Sequence, residues 1–106
     1  MKSLIVVLAA VAACAAVAGP ALAATKTVTV GDSFFQAKNV TVRKGTTVRW
    51  VWRGRLIHNV MVKSGPTRFH SAAKAAGSYS KRLTRAGTYQ IVCTIHPGMT
   101  MTLHVR

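Results

Sequence analysis

Acidic residues are almost absent from this chain of 106 residues: Asp32 is the only one, against 15 lysines and arginines. A single carboxyl group cannot provide the pair of carboxylates that many hydrolases use as general acid and base, so we expect no enzyme of that kind. The formal net charge of +14 predicts a surface that attracts acidic partners and speeds their association.

The N-terminal segment has the pattern of a secretory signal peptide. Lys2 supplies a positive charge, and an uncharged apolar run extends over residues 4–18. The Gly19-Pro20 pair interrupts that run, and Ala21-Leu22-Ala23 is a small-x-small cleavage site. We therefore predict a signal peptide over residues 1–23 and one mature domain over residues 24–106.

We expect export to place the mature chain in the periplasm, outside the cell or at the cell surface, without stable membrane insertion. Export argues against nucleic acid as its working partner. Two alternatives remain open. Residues 4–24 could just span a bilayer as an uncleaved anchor, since about 20 apolar residues suffice. Cys14 lies in a loose lipobox, Val11-Ala12-Ala13-Cys14, so that it could carry a lipid instead of being removed.

Cysteine is equally scarce. If Cys14 leaves with the signal peptide, Cys93 is the only cysteine of the mature chain and cannot form an internal disulfide. Two interpretations follow for Cys93. It is either a small buried hydrophobic residue or a metal ligand, with a thiolate that the bound metal protects from oxidation.

Between residues 24 and 106 the sequence shows no internal repeat, and short apolar-polar alternations are separated by turn residues. This spacing is typical of an all-β sandwich. We predict strands over residues 25–30, 39–43, 46–52, 58–63, 77–83, 88–93 and 100–105, and a short helical turn within residues 67–76. Inward faces are expected for Val48, Trp50 and Trp52, for Tyr89, Ile91 and Cys93, and for Met101, Leu103 and Val105.

The stretch Cys93-Thr94-Ile95-His96-Pro97-Gly98-Met99 brings a thiolate, an imidazole and a thioether into seven residues. A second imidazole, His58, opens an upstream strand. Two histidines, one cysteine and a weak methionine are the ligand set of a blue-copper electron-transfer site. His70, in a polar loop, and His104, on an outward strand position, are expected to be surface residues instead.

Four segments carry a resemblance to a known family: Val40–Gly45, Val48–Trp50, His58–Val60 and Gly87–Met99. On these motifs the chain resembles the cupredoxins of the plastocyanin, amicyanin and pseudoazurin group over essentially all of residues 26–106. The resemblance implies a Greek-key β-sandwich with one type 1 copper ion at one end. It assigns His58, Cys93 and His96 as equatorial ligands and Met99 as the axial ligand.

Met101 is the alternative axial ligand. Plastocyanin-like and pseudoazurin-like loops place the methionine five residues after the second histidine, which is Met101 here, whereas amicyanin-like loops place it three residues after, at Met99. In the family the axial methionine typically precedes the end of the last strand by six residues, as Met99 does relative to Val105, so the resemblance favours Met99. Met101 is then expected to fill the core beside Leu103.

By the same resemblance, Asn59 is expected to tie the loop of His58 to Thr94, the residue after the cysteine. Transfer of the electron is expected through the exposed edge of His96, within an apolar patch of Pro97, Gly98 and Ile57. The predicted function is that of a monomeric one-electron carrier, not an enzyme, which meets redox proteins with acidic docking surfaces. The alternative is a copper-binding protein for storage, delivery or resistance.

Overall fold

The computed structural model describes residues 24–106, so the signal peptide predicted over residues 1–23 and Cys14 lie outside the described residues. Eight strands make up the regular structure of this part: β1 (Thr25–Gly31), β2 (Phe34–Gln36), β3 (Asn39–Val42), β4 (Thr47–Trp52), β5 (Met61–Ser64), β6 (Ser78–Arg82), β7 (Gly87–Val92) and β8 (Thr100–Val105). Residues 24–106 include no helix that is long and apolar enough to cross a membrane.

The strands form two four-stranded sheets, in the orders β2-β1-β4-β6 and β3-β8-β7-β5. The chain passes from one sheet to the other at five of its seven connections. Strand β1 is parallel to β4, and β3 is parallel to β8. Crossed connections of this kind distinguish a Greek-key sandwich from a series of simple hairpins. The predicted all-β sandwich is confirmed.

The core lies between the sheets, and strand alternation determines which side chains enter it. On β4 the buried set includes Val48, Trp50 and Trp52, as the pattern predicts. The inward sets of β7 and β8 are also confirmed, with Tyr89 and Leu103 fully excluded from solvent. Phe69 joins them from a loop, with its ring centroid 6.0 Å from that of Trp50 and 6.1 Å from that of Tyr89.

The helical turn predicted within residues 67–76 is wrong. This segment is extended, because its backbone pairs with neighbouring chain: Lys74 and His58 exchange two hydrogen bonds of 3.0 Å, and the amide of Ser71 donates to the carbonyl of Val60 at 2.8 Å. The alanines predict a helix by propensity alone, and this tertiary pairing overrides that preference.

Two further differences from the predicted pattern exceed a single residue at a strand end. The short strand β2 was not predicted, since three residues carry too little alternation to be recognised. The strand predicted over residues 58–63 begins at Met61, because the backbone of His58 pairs with Lys74 and not with β7.

The sandwich has two distinct ends. Cys93 follows β7 directly and Met99 precedes β8 directly, so both lie at the same end of this antiparallel pair. Trp52, the last residue of β4, lies there too, since its indole Nε1–H donates to the carbonyl of His58 at 3.2 Å. The opposite end holds Val105 and Arg106. The predicted ligands are therefore gathered at one end of the fold.

Leu103→Ala is expected to destabilise the protein by about 2–5 kcal/mol, because it leaves a cavity in a site with no exposed surface. The matched control is Leu56→Ala, where the leucine is 50% exposed and the expected change is below about 1 kcal/mol. Urea unfolding of the two metal-free variants measures both. Similar losses of unfolding free energy would contradict the assigned core.

Candidate metal centre

Three side chains from distant parts of the sequence meet at the end of the sandwich. The Sγ of Cys93 lies 3.9 Å from Nδ1 of His58 and 3.9 Å from Nδ1 of His96. All three donor atoms lie within 4.8 Å of one another. Two donors bound to one ion at about 2.0–2.3 Å stand roughly 3.5–4 Å apart, so this spacing fits a single metal ion. The soft thiolate and the two imidazoles suit copper.

The loop between Cys93 and Met99 is closed by its own backbone. The amide of Cys93 donates to the carbonyl of Met99 at 3.0 Å, and the amide of Met99 donates to the carbonyl of His96 at 3.2 Å. Gly98 has a φ of +84°, a left-handed conformation that glycine adopts without the strain of a side chain. These two hydrogen bonds and this glycine hold Cys93 and His96 at a fixed distance without any help from a metal.

His58 is oriented by a carboxylate. Its Nε2 lies 2.9 Å from Oδ1 of Asp32, and the ring is fully buried. Asp32 also accepts hydrogen bonds from the backbone amides of Arg55 and Leu56. The hydrogen bond from His58, followed by those from the two amides, lowers the pKa of the Asp32 carboxyl to about 2. Asp32 is therefore ionised and can only accept.

Asp32 is the one residue of the site that sequence reasoning missed. It stands 26 residues from His58 in the sequence and after a different strand, so no motif spacing connects the two. The available signal was chemical. A buried imidazole needs a hydrogen-bond partner for the nitrogen that does not face the metal, and Asp32 is the only acidic residue in the chain.

Asn59 joins the two segments that carry the donors. Its Oδ1 accepts a hydrogen bond from the backbone amide of Thr94 at 2.8 Å, and its Nδ2 donates to Oγ1 of Thr94 at 3.0 Å. Asn59 follows His58 and Thr94 follows Cys93, so the contact sets the distance between the imidazole and the thiolate. The hydrogen bond to the backbone amide does not depend on the side chain at position 94. Replacing Asn59 therefore removes more of this contact than replacing Thr94 does.

The two candidate methionines have different surroundings. The Sδ of Met101 lies 3.4 Å from the indole Nε1 of Trp50, which donates a hydrogen bond to it inside the core. Met99 is also buried, at the end of the loop that carries Cys93 and His96. The thioether of Met101 is thus already engaged by Trp50.

The outer surface of the site is apolar. His96 is half-buried, and its ring centroid lies 4.5 Å from that of His58. Residues next to the two histidines are exposed, with Ile57 at 54% and Ile95 at 43% of their possible surface. Pro97 and Gly98 are exposed as well.

The remaining histidines lie away from this centre. His70 is exposed and its backbone pairs with that of Met61. His104 is half-buried on β8, with its Nδ1 3.3 Å from Oγ1 of Thr88. Within the part of the chain that the structure describes, His58, Cys93 and His96 are the one group of three or more potential ligands close enough to share an ion.

Comparison with known proteins points to the same chemistry. Residues 23–106 match the family model of copper binding proteins, plastocyanin/azurin family. The chain is 34% identical to amicyanin-alpha of Methylorubrum extorquens over 103 residues, which cover 87% of each chain.

Solved structures agree in fold. A reduced, Cu(I) form of an amicyanin variant superposes with a TM-score of 0.69 at 30% identity, over 84% of this chain and 88% of that one. The copper-containing nitrite reductase of Thermus scotoductus SA-01 superposes with a TM-score of 0.69 at 26% identity, over 77% of this chain. This chain spans only 22% of the nitrite reductase, so the likeness is to one portion of that protein.

Asn59→Ala is expected to lower the unfolding free energy of the metal-free protein by about 1 kcal/mol, because the amide of Thr94 loses its acceptor. Metal affinity is expected to fall roughly 10–100-fold, since the two donor segments are no longer tied. Urea unfolding and competition with a chelator measure these losses. In the control Thr94→Ala the backbone contact remains, so both losses should be smaller. Equal losses in the two variants would contradict the role given to Asn59.

Proposed function

Because this chain belongs to the plastocyanin/azurin family of copper-binding proteins, we propose that it is an exported one-electron carrier. It is a cupredoxin that binds one copper ion. Copper bound there would supply the redox chemistry, as a one-electron couple between Cu(II) and Cu(I). The observation that carries the proposal is the convergence of one buried cysteine sulfur and two imidazole nitrogens within 4.8 Å at one end of the sandwich.

We propose that His58 and His96 each bind the ion through Nδ1, that Cys93 binds through its thiolate, and that Met99 supplies the weak axial thioether. The hydrogen bond from Trp50 to the Sδ of Met101 favours Met99, because it leaves Met101 a role in the core. The closed loop of residues 93–99 and the contact of Asn59 with Thr94 keep the donors in place. Donors held in this way move little when the charge of the ion changes, which suits electron transfer.

A carrier is favoured over a storage or delivery protein by the enclosure of the site. His58, Cys93 and Met99 are all buried, so no donor is free to leave towards another protein. Four protein donors also leave no open position for a substrate, and we therefore propose no enzymatic activity. The likeness to a nitrite reductase covers 22% of that protein and does not bring its activity to this chain.

The half-buried His96 is the proposed exit for the electron. The exposed Ile95 and Pro97 flank it in the sequence, and the exposed Ile57 precedes His58, whose ring centroid lies 4.5 Å from that of His96. These side chains offer an apolar surface on which a partner can dock. Arg53 and Arg55 lie at the same end, in the segment between β4 and His58, and both are exposed. We propose that the partner is a redox protein with acidic groups around its docking surface.

Loading the protein with Cu(II) is expected to give the intense blue absorption of a thiolate-copper bond, lost in Cys93→Ala. Met99→Gln should shift the visible and paramagnetic resonance spectra, because it replaces the axial donor. Met101→Gln is the matched control and should lower stability while leaving the spectra near those of the parent, since its sulfur contacts Trp50. A colourless Cu(II) protein, or a spectrum that changes only in Met101→Gln, would contradict the assignment.

Neutralising Arg53 and Arg55 together, as Arg→Gln changes, is expected to slow oxidation of the Cu(I) protein by hexacyanoferrate(III) several-fold at low ionic strength. This anionic one-electron acceptor is attracted by positive charge near its point of contact. The control pair, Arg43 and Arg106, lies at the opposite end of the sandwich and should have a smaller effect. Stopped-flow measurements at several salt concentrations give the electron-transfer rates of the two double variants. A larger loss of rate in the control pair would contradict transfer at His96.

A further inference from the structure

We propose that Asp32 is a positioning residue for copper, acting through His58. It holds the imidazole in one orientation and tautomer, and its negative charge stabilises Cu(II) relative to Cu(I). The inference rests on the proposed binding of copper by His58, and it assigns a role to the only acidic residue in a strongly basic chain.

The first argument is the direction of the hydrogen bond. A carboxylate has no proton to donate, so the 2.9 Å contact requires a proton on Nε2 of His58. In a neutral imidazole this leaves the lone pair on Nδ1, which is the nitrogen 3.9 Å from the sulfur of Cys93. Asp32 therefore prepares the ring for metal binding before any metal arrives.

The second argument is that Asp32 is itself held in place. The amide of Arg55 donates to both carboxylate oxygens, at 3.1 and 3.0 Å, and the amide of Leu56 donates to Oδ1 at 2.9 Å. These amides belong to the turn that leads into His58. Asp32 thus fixes both the backbone that carries the histidine and the orientation of its ring.

The third argument is that Gly54, which has no side chain, leaves room for this carboxylate. A methyl group at Gly54 would overlap the carboxylate of Asp32. The φ of Gly54 is not in the left-handed region, so the backbone alone does not require glycine there. The lack of a side chain at Gly54 is explained by the position of Asp32.

The fourth argument is electrostatic. Residues 24–106 contain 14 of the 15 lysines and arginines, since Lys2 lies in the predicted signal peptide, and their combined positive charge disfavours Cu(II). The carboxylate opposes this at hydrogen-bonding distance from a ligand ring, where it increases the basicity of the imidazole. A more basic ligand favours the more highly charged ion and so lowers the reduction potential.

Asp32→Asn tests the charge, because asparagine keeps the size and one acceptor oxygen. We expect the ratio of Cu(II) to Cu(I) affinity to fall about tenfold, which corresponds to a reduction potential about 59 mV higher for one electron. The control Thr84→Lys raises the net charge by the same one unit on the exposed loop between β6 and β7, at the far end of the sandwich. Cyclic voltammetry should show a much smaller shift in this control. Equal shifts in the two variants, or no shift in Asp32→Asn, would overturn the proposal.

A second measurement needs no copper. In the metal-free protein, the Nε2–H proton of His58 should give a proton NMR signal that exchanges slowly with water. The exchange should be at least tenfold faster in Asp32→Ala and also faster in Gly54→Ala, which displaces the carboxylate without removing it. Unchanged exchange in both folded variants would overturn the positioning role. Since this measurement does not depend on electron transfer, failure of the carrier function and failure of the Asp32 proposal are distinguishable.

Discussion

The antiparallel pairing of β7 with β8, in the register that opposes Val92 to Thr100, is the constraint on which the metal end depends. It places Cys93 and Met99 next to each other at the mouth of the loop between the strands, and the hydrogen bond between their backbones closes that loop. The alternation of β7 turns Cys93 inward together with Tyr89 and Ile91. The positions of Cys93 and Met99 are therefore a consequence of the pairing of these two strands.

The features that follow strand alternation could be predicted from the sequence. Val48, Trp50 and Trp52 alternate with residues of the other face, and the structure buries all three, because a period of two residues determines the face directly. The segment 67–76 could not be predicted in this way. Its extended form depends on hydrogen bonds to Val60 and His58, partners that lie far away in the sequence and have no local signature.

The residues of the metal site also divide into those that a local sequence motif reveals and those that only the fold brings together. The grouping of Cys93, His96 and Met99 is visible in a short motif, and the structure brings the first two together with His58. Asp32 carries no motif, and its position beside His58 exists only because the turn after β1 meets the turn after β4. The choice between Met99 and Met101 likewise turns on a contact across the core, the indole of Trp50 on the sulfur of Met101.

An electron carrier encloses its copper ion, whereas a protein that delivers copper must release it. The rate of electron self-exchange and the rate of copper loss together measure this difference. For the protein loaded with copper, NMR line broadening in mixtures of the two oxidation states gives the rate of electron self-exchange, and a chelator gives the rate of copper loss. With His58, Cys93 and Met99 buried, we expect fast electron exchange through His96 and copper loss that is slower by several orders of magnitude. Copper that leaves for the chelator as fast as electrons exchange would contradict the account.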